Sequence, residues 1–541
     1  MYNYRSMIQN VPRIDSSAFL VKSIRFRHII LCGKLLRICF TKQKIINFYI
    51  FVDKYRTACI IVISHLDKQE DISMEQQKKG QWGNQFGFLM AAVGSAVGLG
   101  NLWAFPYKMG KNGGFAFLFI YIIIVAFVGI IITITELGIG RKTGKGVVGA
   151  YRELGKKYAP IGWFGVISPF LIMSFYMMLG GYTLKYMIAN LGDIFNASWG
   201  YQGAGMETAE YFQAFFSNQL ETVIYTVIFV LLTAAVVRGG VSEGIEKFSK
   251  IAMPALFFML VAVIIRSVTL PGASEGLKFV FEPNFEVFKG SGWVNVFAAA
   301  GGQAFFSLSL GMGIMVTYGS YLKKEEDLKL NSIVIPIADT IIAVMAGMAI
   351  MPAVFAGGLE PAAGPGLLFV TLQTVFSSMG AGGPIFGFVM YFLVFIAAIT
   401  SSISLLETVV AVVVDMKIEK SKKFNKKKIT FWCTAAIMAE AIFVSLDGLG
   451  SHGFPQILGQ STWLDSMDLV SEGVLMPLSA LLTAIICGWV LPDFVTDEVE
   501  LNGKFTWKKF YMFCIRFVVP PVMILVLLGQ LDSFFKLGIF G

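Results

Sequence analysis

The sequence is poor in the residues that form most catalytic and metal centres. Its 541 residues include three histidines and six cysteines, and two of the histidines and three of the cysteines precede residue 74. The others lie far apart, in apolar segments or in a loop. This spacing predicts no disulfide framework, no cysteine–histidine metal site and no nucleophile–base pair. We therefore expect a protein that is not an enzyme and uses no organic cofactor.

Charged residues are also scarce. They make up 15% of the chain, whereas hydrophobic residues make up 56%, which is typical of an integral membrane protein. Uncharged runs such as 113–135 exceed the roughly 20 residues that a helix needs to cross a bilayer. The alternating pattern of barrel strands is missing, so we predict an all-α integral membrane protein in a lipid bilayer.

The net charge of +9 does not indicate nucleic acid as a partner, because most of it lies at one end. Residues 1–73 contain 12 Lys and Arg against 5 Asp and Glu, and the rest of the chain has a net charge of only +2. We expect residues 1–73 to be upstream sequence foreign to the native protein, with Met74 as initiator, or else a disordered basic extension. The functional domain would then span residues 74–541.

Apolar runs between charged or Pro/Gly-rich breaks predict eleven transmembrane helices. They lie at about 84–108, 115–140, 161–192, 220–237, 245–268, 292–320, 330–356, 384–415, 428–446, 467–491 and 508–533. Linkers 141–158 and 417–428 are strongly basic, whereas loop 193–219 contains no Lys or Arg. By the positive-inside rule, we expect a cytoplasmic N-terminus and a C-terminus on the outer side.

The first and sixth predicted spans are interrupted at mid-depth, by GSAVGLGN and SLSLGMG respectively. Unwound backbone is tolerated at this depth where it lines a cavity, so the pair predicts a transporter's binding site. Close helix packing through Gly94 and Gly98 is the alternative, but packing requires neither Asn101 nor Pro106.

Because the interruptions are five helices apart, we predict a five-plus-five inverted repeat with broken helices 1 and 6. The repeats would span about 84–268 and 292–491, followed by an extra helix at about 508–533.

Several motifs occur in a characteristic order. They are GSAVGLGN, WAFPY and KNGG within 94–114, ELGIGR (136–141), GQAFFSLSLGMG (302–313), TYGSY (317–321) and TSSIS (400–404). From about residue 79 onward the chain resembles the neurotransmitter:sodium symporter family, especially its bacterial amino-acid transporters with the leucine-transporter-like fold. The resemblance implies sodium-dependent import of a neutral hydrophobic or aromatic L-amino acid by alternating access, across a prokaryotic plasma membrane. A sodium-dependent amino-acid sensor, or a symporter of another small zwitterionic solute, is the alternative.

The resemblance also implies two sodium ions in each transport cycle. The first site would take oxygens from Ala96, Asn101, Ser307 and Asp339. The second would take the carbonyls of Gly94, Val97 and Ala397 with the hydroxyls of Thr400 and Ser401. Such oxygen sets suit a hard cation.

Asp339 lies inside an apolar run, where a carboxylate costs roughly 2.5–3.5 kcal/mol on insertion scales and requires a partner. A bound cation is the natural partner for this carboxylate. The family commonly has an amide at this position, and its animal members bind chloride nearby. We expect the Asp339 carboxylate to replace chloride in a neighbourhood of Tyr121, Gln303 and Ser307, which makes transport chloride-independent.

The substrate pocket follows from the same resemblance. Glycine at position 98 leaves room for a substrate carboxylate, which would meet the amides of Leu99 and Gly100 and the Tyr176 hydroxyl. The substrate ammonium would face the carbonyls of Ala96, Phe306 and Ser307. The expected side-chain lining carries no fixed charge and consists of Ile172, Tyr176, Phe306, Ser309, Met312, Ser401 and Leu405.

The family pattern further implies gates and hinges. Phe306 and Tyr176 would form an outer lid. The inner gate would comprise Lys79 paired with Asp415, beside Trp82, Tyr321 and Glu407. Glu136 would accept free amides of the unwound sixth helix, while Gly244 and Pro254 match a Gly-x9-Pro unwinding motif or are simply a loop glycine and a helix kink.

One position departs from the family pattern. An outer-vestibule arginine that normally pairs with Asp468 is replaced by Ala104. Lys108, one turn further along, is a possible substitute; otherwise the outer gate would depend on the aromatic pair alone.

Overall fold

The computed structural model describes residues 80–290, 292–361, 366–420, 424–455 and 457–538. Every regular element in these ranges is a helix. The predictions for residues 1–73 and for Lys79 lie outside the described residues.

The first predicted span is a bent pair. Helices α1 (Gln85–Ala96) and α2 (Gly100–Lys111) meet at an angle of 43°. The sixth predicted span is also divided, into α7 (Gly292–Ser307) and α8 (Ile314–Gly319). Both interruptions fall on the segments that the sequence identifies.

Nine further helices in the described ranges are each long and apolar enough to cross a membrane. They are α3 (Phe115–Thr143), α4 (Lys156–Ile194), α5 (Gln219–Arg238), α6 (Val241–Val268), α9 (Leu328–Ala356), α10 (Gly380–Glu419), α11 (Lys426–Asp447), α12 (Trp463–Val490) and α13 (Lys508–Phe535). With the bent pair as one span, the described crossings number up to ten. The count of eleven remains a prediction, because it requires α7 and α8 to act together as one span.

The breaks have local causes. Val97, at the end of α1, has φ −78° and ψ 102°, which is extended backbone, and the side chain of Asn101 accepts a hydrogen bond from the Gly98 amide at 3.1 Å. In the second break, Ser309, Gly311 and Gly313 all have positive φ, between 56° and 73°. These left-handed residues cannot continue a right-handed helix.

The broken helices lie among the long ones. Helix α1 packs against α6, α9 and α10, while α7 packs against α3 and α13, and α8 packs against α3. Helices α4 and α10 pack along each other, with α5 and α11 beside them. This arrangement buries both breaks, together with the polar side chains that they carry.

Helices that were not expected occupy the loops. They are Val147–Leu154, Thr208–Phe216, Ala273–Phe281, Leu367–Ser378 and Pro492–Glu500. Each has fewer than 18 residues, too short for the span pattern on which the sequence prediction relied.

Candidate binding site in the broken helices

A small cavity of about 20 Å³ lies where the two breaks meet α4 and α10. Its lining contains all seven side chains predicted for the pocket and several additional residues. The lining residues are Ser95, Ala96, Gly98, Gly100, Ile172, Tyr176, Phe306, Ser309, Met312, Ile314, Ser401, Ser404 and Leu405. None of these residues is ionisable except Tyr176. Ser95, Ile314 and Ser404 were not predicted, although each lies within two residues of a motif position that was.

Gly98 leaves the space that the cavity occupies. A Cβ atom at this position would come into contact with Ser401 Oγ and would lie 2.6 Å from the Tyr176 hydroxyl oxygen. Any larger side chain would therefore displace these two groups. The Tyr176 hydroxyl accepts a hydrogen bond from the Leu99 amide at 3.1 Å, so that the phenol is held at the start of α2.

The five residues predicted for the second sodium site lie together. Thr400 Oγ1 is 2.9 Å from the Ala397 carbonyl oxygen and 3.5 Å from that of Val97. Ser401 Oγ lies 3.4 Å from the carbonyl oxygens of both Gly94 and Val97. Three carbonyls and two hydroxyls, whose lone pairs can turn inward, form an oxygen set that suits a hard cation.

Asp339 forms the centre of a second polar group. Its Oδ1 accepts hydrogen bonds from Asn101 Nδ2 at 2.8 Å and Ser307 Oγ at 2.9 Å, and its Oδ2 accepts one from the Tyr121 hydroxyl at 3.0 Å. Asn101, Ser307 and Asp339 are each at most 1% exposed. The carboxylate is therefore fully surrounded by donors contributed by α2, α3 and α7. These donors make a buried charge tolerable at this position.

The Gln303 side chain contacts the first break. Its Nε2 donates to the Gly100 carbonyl oxygen at 2.8 Å, so it supports the unwound backbone of the first break. Its Oε1 is buried without a hydrogen-bond partner among the described residues. No contact between the Gln303 side chain and the Asp339 carboxylate occurs in the described hydrogen bonds.

Glu136 contacts the second break. Its Oε1 accepts a hydrogen bond from the Gly311 amide at 2.9 Å, and the side chain is 1% exposed. Gly311 has φ 73°, so its amide points away from the helical direction and needs a partner outside α7 and α8. Among the described hydrogen bonds, Glu136 holds one amide of the break and not several.

A wide vestibule lies on the far side of Phe306 from the cavity. Phe306 lines both spaces, as expected of a lid, whereas Tyr176 lines only the cavity. In the vestibule wall, Lys108 forms a salt bridge to Glu472, with Nζ 2.5 Å from Oε1. The expected partner, Asp468, lies beside Glu472. Lys108 therefore pairs with a carboxylate that the sequence analysis did not identify, and its role as a substitute for the arginine stays a prediction.

Aromatic side chains hold the chain just before α1, at the end of this helix that lies away from the break. Trp82 is 2% exposed, its indole Nε1 donates to the Tyr318 carbonyl oxygen at 3.1 Å, and its ring packs edge-on against Tyr318 and Tyr321. The Tyr321 hydroxyl donates to Glu407 Oε1 at 2.7 Å, and Lys426 forms a salt bridge to the same oxygen.

Asp415 accepts a hydrogen bond from the Gly146 amide, in the linker after α3. Its predicted pairing with Lys79 lies outside the described residues.

The start of α6 provides a contact that sequence reasoning missed. Gly244 lies in a π-helical segment, Val241–Glu246, and Pro254 lies ten residues further inside α6. Within that segment the buried Glu246 accepts a hydrogen bond from the Gly83 amide at 2.6 Å and pairs with Lys250.

Two broken helices that bury a neutral cavity and clustered oxygen ligands define a class of protein, namely secondary transporters with a binding site at mid-membrane. Comparisons with known proteins agree. The model of the sodium:neurotransmitter symporter family matches residues 79–224 and 217–539. The chain belongs to this family.

The similar proteins come from bacteria and archaea, among other organisms. A Bacillus subtilis protein described as the uncharacterized sodium-dependent transporter YhdH is 35% identical over 84% of this chain and 98% of its own length. An uncharacterized sodium-dependent transporter of Methanocaldococcus jannaschii is 31% identical over 83% of this chain and 90% of its own. The crystal structure of MhsT in complex with L-phenylalanine is similar with 37% identity and a TM-score of 0.75, over 84% of this chain and 100% of MhsT. The protein is thus a multi-pass sodium-dependent symporter of the bacterial branch.

Proposed function

We propose that the protein imports a neutral hydrophobic or aromatic L-amino acid with sodium, by alternating access. The observation that carries this proposal is the uncharged cavity beside Gly98, with the Tyr176 hydroxyl and the start of α2 at one side. An amino acid provides its own pair of opposite charges, so a pocket with no fixed charge suits it. MhsT, which resembles this chain, binds L-phenylalanine.

The substrate carboxylate meets the amides of Leu99 and Gly100 and the Tyr176 hydroxyl, at the N-terminal end of α2 where the helix dipole favours an anion. The ammonium faces the carbonyls of Ala96, Phe306 and Ser307. The side chain then packs among Ile172, Met312 and Leu405, which line the same cavity. An unbranched methionine adapts to side chains of several shapes, which supports a range of substrates.

Two sodium ions accompany the substrate. One binds among Gly94, Val97, Ala397, Thr400 and Ser401; the other binds between the substrate carboxylate and Ala96, Asn101, Ser307 and Asp339. Asp339 contributes the negative charge that a chloride ion would otherwise provide, and its three donors orient it toward the first break. Transport is therefore independent of chloride.

Membrane potential drives the import. Two sodium ions and a zwitterion carry two positive charges inward, each worth about 2.3 kcal/mol per 100 mV. Because about 1.4 kcal/mol corresponds to a tenfold concentration ratio, a potential of about 100 mV alone supports roughly thousandfold accumulation of the substrate. The basic linkers 141–158 and 417–428 support an orientation in which α1 starts at the cytoplasmic side of a prokaryotic plasma membrane.

In this orientation Phe306 and the Lys108–Glu472 pair close the outer path, and the Trp82 contacts close the inner one. Alternating access then requires these two groups to open in turn. Glu136 holds the second break while α7 and α8 change their angle.

Purified protein in proteoliposomes tests the proposal. With sodium outside and a negative interior potential, uptake of one or more L-amino acids should exceed the equilibrium level, and potassium in place of sodium should abolish it. Sodium-dependent binding without accumulation would instead indicate a sensor. Absence of sodium-dependent binding across the common L-amino acids would contradict the proposed substrate class.

A further inference from the structure

Three serine hydroxyls that sequence reasoning did not connect form one wall of the cavity. Ser95 Oγ lies 2.7 Å from Ser404 Oγ and 3.4 Å from Ser309 Oγ, and all three residues line the cavity. They come from three different elements: α1, α10 and the second break. Each is at most 4% exposed, so bulk water does not reach them.

The protons of these hydroxyls are already used inside the protein. Ser404 donates to the Ser401 carbonyl oxygen at 2.7 Å, and Ser95 donates to Ser404 Oγ. Ser309 donates to the Ser95 carbonyl oxygen at 3.2 Å. A hydroxyl has one proton and two lone pairs, so Ser95 and Ser309 retain lone pairs with no donor directed at them among the described hydrogen bonds.

The wall lies across the break from the expected carboxylate position. Ser95 belongs to α1, whereas the amides of Leu99 and Gly100 lie at the N-terminal end of α2. A substrate whose carboxylate is held at α2 therefore has its remaining atoms available to the wall and to the apolar residues beside it.

On this basis we propose that Ser95, Ser309 and Ser404 form a hydrogen-bond-accepting wall, which selects amino acids whose side chain carries an N–H or O–H donor. The inference rests on the proposed function, since it requires an amino acid in the cavity. An indole N–H or a phenol O–H satisfies the free lone pairs. A side chain with only an acceptor must break one of the internal serine hydrogen bonds, and an apolar one leaves the lone pairs without a donor.

Matched ligand pairs test the wall with the full chain in sodium. L-Tryptophan is compared with L-3-benzothienylalanine, in which sulfur replaces the indole N–H, and L-tyrosine with L-4-methylphenylalanine. We expect the donor to improve affinity roughly five- to tenfold in at least one pair, the effect of one hydrogen bond. Equal affinities within both pairs would overturn the inference. If neither pair binds and no other amino acid binds with sodium, the proposed function itself fails.

The variant Ser95→Ala separates the wall from the rest of the pocket. It removes a lone-pair site without leaving an unpaired proton, and alanine suits the interior of α1. The preference for ligands that carry a donor should fall in this variant. In the double variant Ser95→Ala with Ser309→Ala, which removes both hydroxyls with free lone pairs, the two members of each ligand pair should bind with about equal affinity. Ser402→Ala is the matched control, because Ser402 is equally buried on α10 but bonds to Thr233, away from the cavity. A preference for donors that persists undiminished in the double variant would assign it to another part of the pocket and overturn the role of this wall.

Discussion

One carboxylate, that of Glu472, contacts both broken helices. It forms a salt bridge to Lys108 of α2, and its Oε1 lies 2.9 Å from the position that a Cβ on Gly302 of α7 would take. Glu472 itself lies in a π-helical turn, Leu469–Leu475, within α12. Glu472 of α12 therefore lies against both broken helices, in addition to the direct contact between Gln303 of α7 and the Gly100 carbonyl oxygen.

This relationship predicts that Lys108→Met accelerates release of a bound amino acid toward the outer side. The side chains of Lys108 and Glu472 are 19% and 6% exposed, so the pair is only partly screened by water. Its loss should raise the dissociation rate about tenfold, equivalent to about 1.4 kcal/mol. A chase of radiolabelled substrate from purified protein in sodium measures this rate.

Lys111→Met is the control for this measurement, because Lys111 lines the same vestibule. The charge-exchanged double variant, Lys108→Glu with Glu472→Lys, should recover part of the slow release. Equal release rates in the Lys108 and Lys111 variants would show that the salt bridge does not hold the outer gate.

Asp339→Asn should make the transporter chloride-dependent. The amide retains hydrogen bonding to its neighbours but removes the negative charge beside the first sodium site, so sodium affinity falls at least tenfold. Chloride should restore part of this loss in the variant and have no effect on the original protein. Uptake measured at constant sodium, with chloride replaced by gluconate, tests both statements.

Ser332→Ala provides a control on the same helix, where the buried hydroxyl donates to the Lys329 carbonyl oxygen and lies seven positions before Asp339. If the original protein loses uptake in gluconate, Asp339 does not take the place of chloride.

Much of the fold could be predicted from the sequence because membrane burial leaves a strong pattern. Each long helix contains an apolar run with few charged residues between polar linkers, and each break carries glycines with a polar residue. The loop helices were missed because they are too short for the span pattern. The eleven-span count depends on α7 and α8, neither of which is long enough to cross a membrane alone.

Some residues of the site could be predicted from the sequence and others could not. Residues inside long motifs, such as Gly98, Ser307 and Thr400, lie in the two breaks or against them, and their roles stay predictions. Glu472, Glu246 and Ser404 were missed because their partners are distant in sequence: Glu472 and Lys108 are separated by 364 positions. A lone carboxylate in a polar segment gives no signal of which helix will lie opposite.

Glu136 provides a test of how the second break is supported. Glu136→Leu removes the acceptor of the buried Gly311 amide and should weaken amino-acid binding by tenfold or more, since an orphaned buried amide costs about 1–3 kcal/mol. Glu136→Gln preserves an acceptor oxygen and should retain most of the binding. Binding isotherms in sodium, combined with a thermal unfolding scan, distinguish loss of the site from loss of the fold. Equal losses in both variants would indicate that the carboxylate charge, and not this hydrogen bond, is required.

Glu246 is positioned to hold the chain at the start of α1. Its carboxylate accepts a hydrogen bond from the Gly83 amide at 2.6 Å and pairs with Lys250. A Cβ atom on Gly87 would overlap the Glu246 side chain, so the two helices approach closely here. Glu246 also lies two residues after Gly244, so release of Gly83 and unwinding of the Gly-x9-Pro segment would occur together.

Glu246→Gln weakens this contact without changing the side-chain shape, so segment 80–96 should open more often. We expect amide hydrogen exchange in that segment to accelerate about tenfold in the absence of sodium, with exchange in α13 unchanged. Glu243→Gln is the matched control, because Glu243 lies in the same π-helical segment but is exposed. Unchanged exchange in Glu246→Gln, or equal acceleration in both variants, would show that Glu246 does not couple the start of α1 to α6.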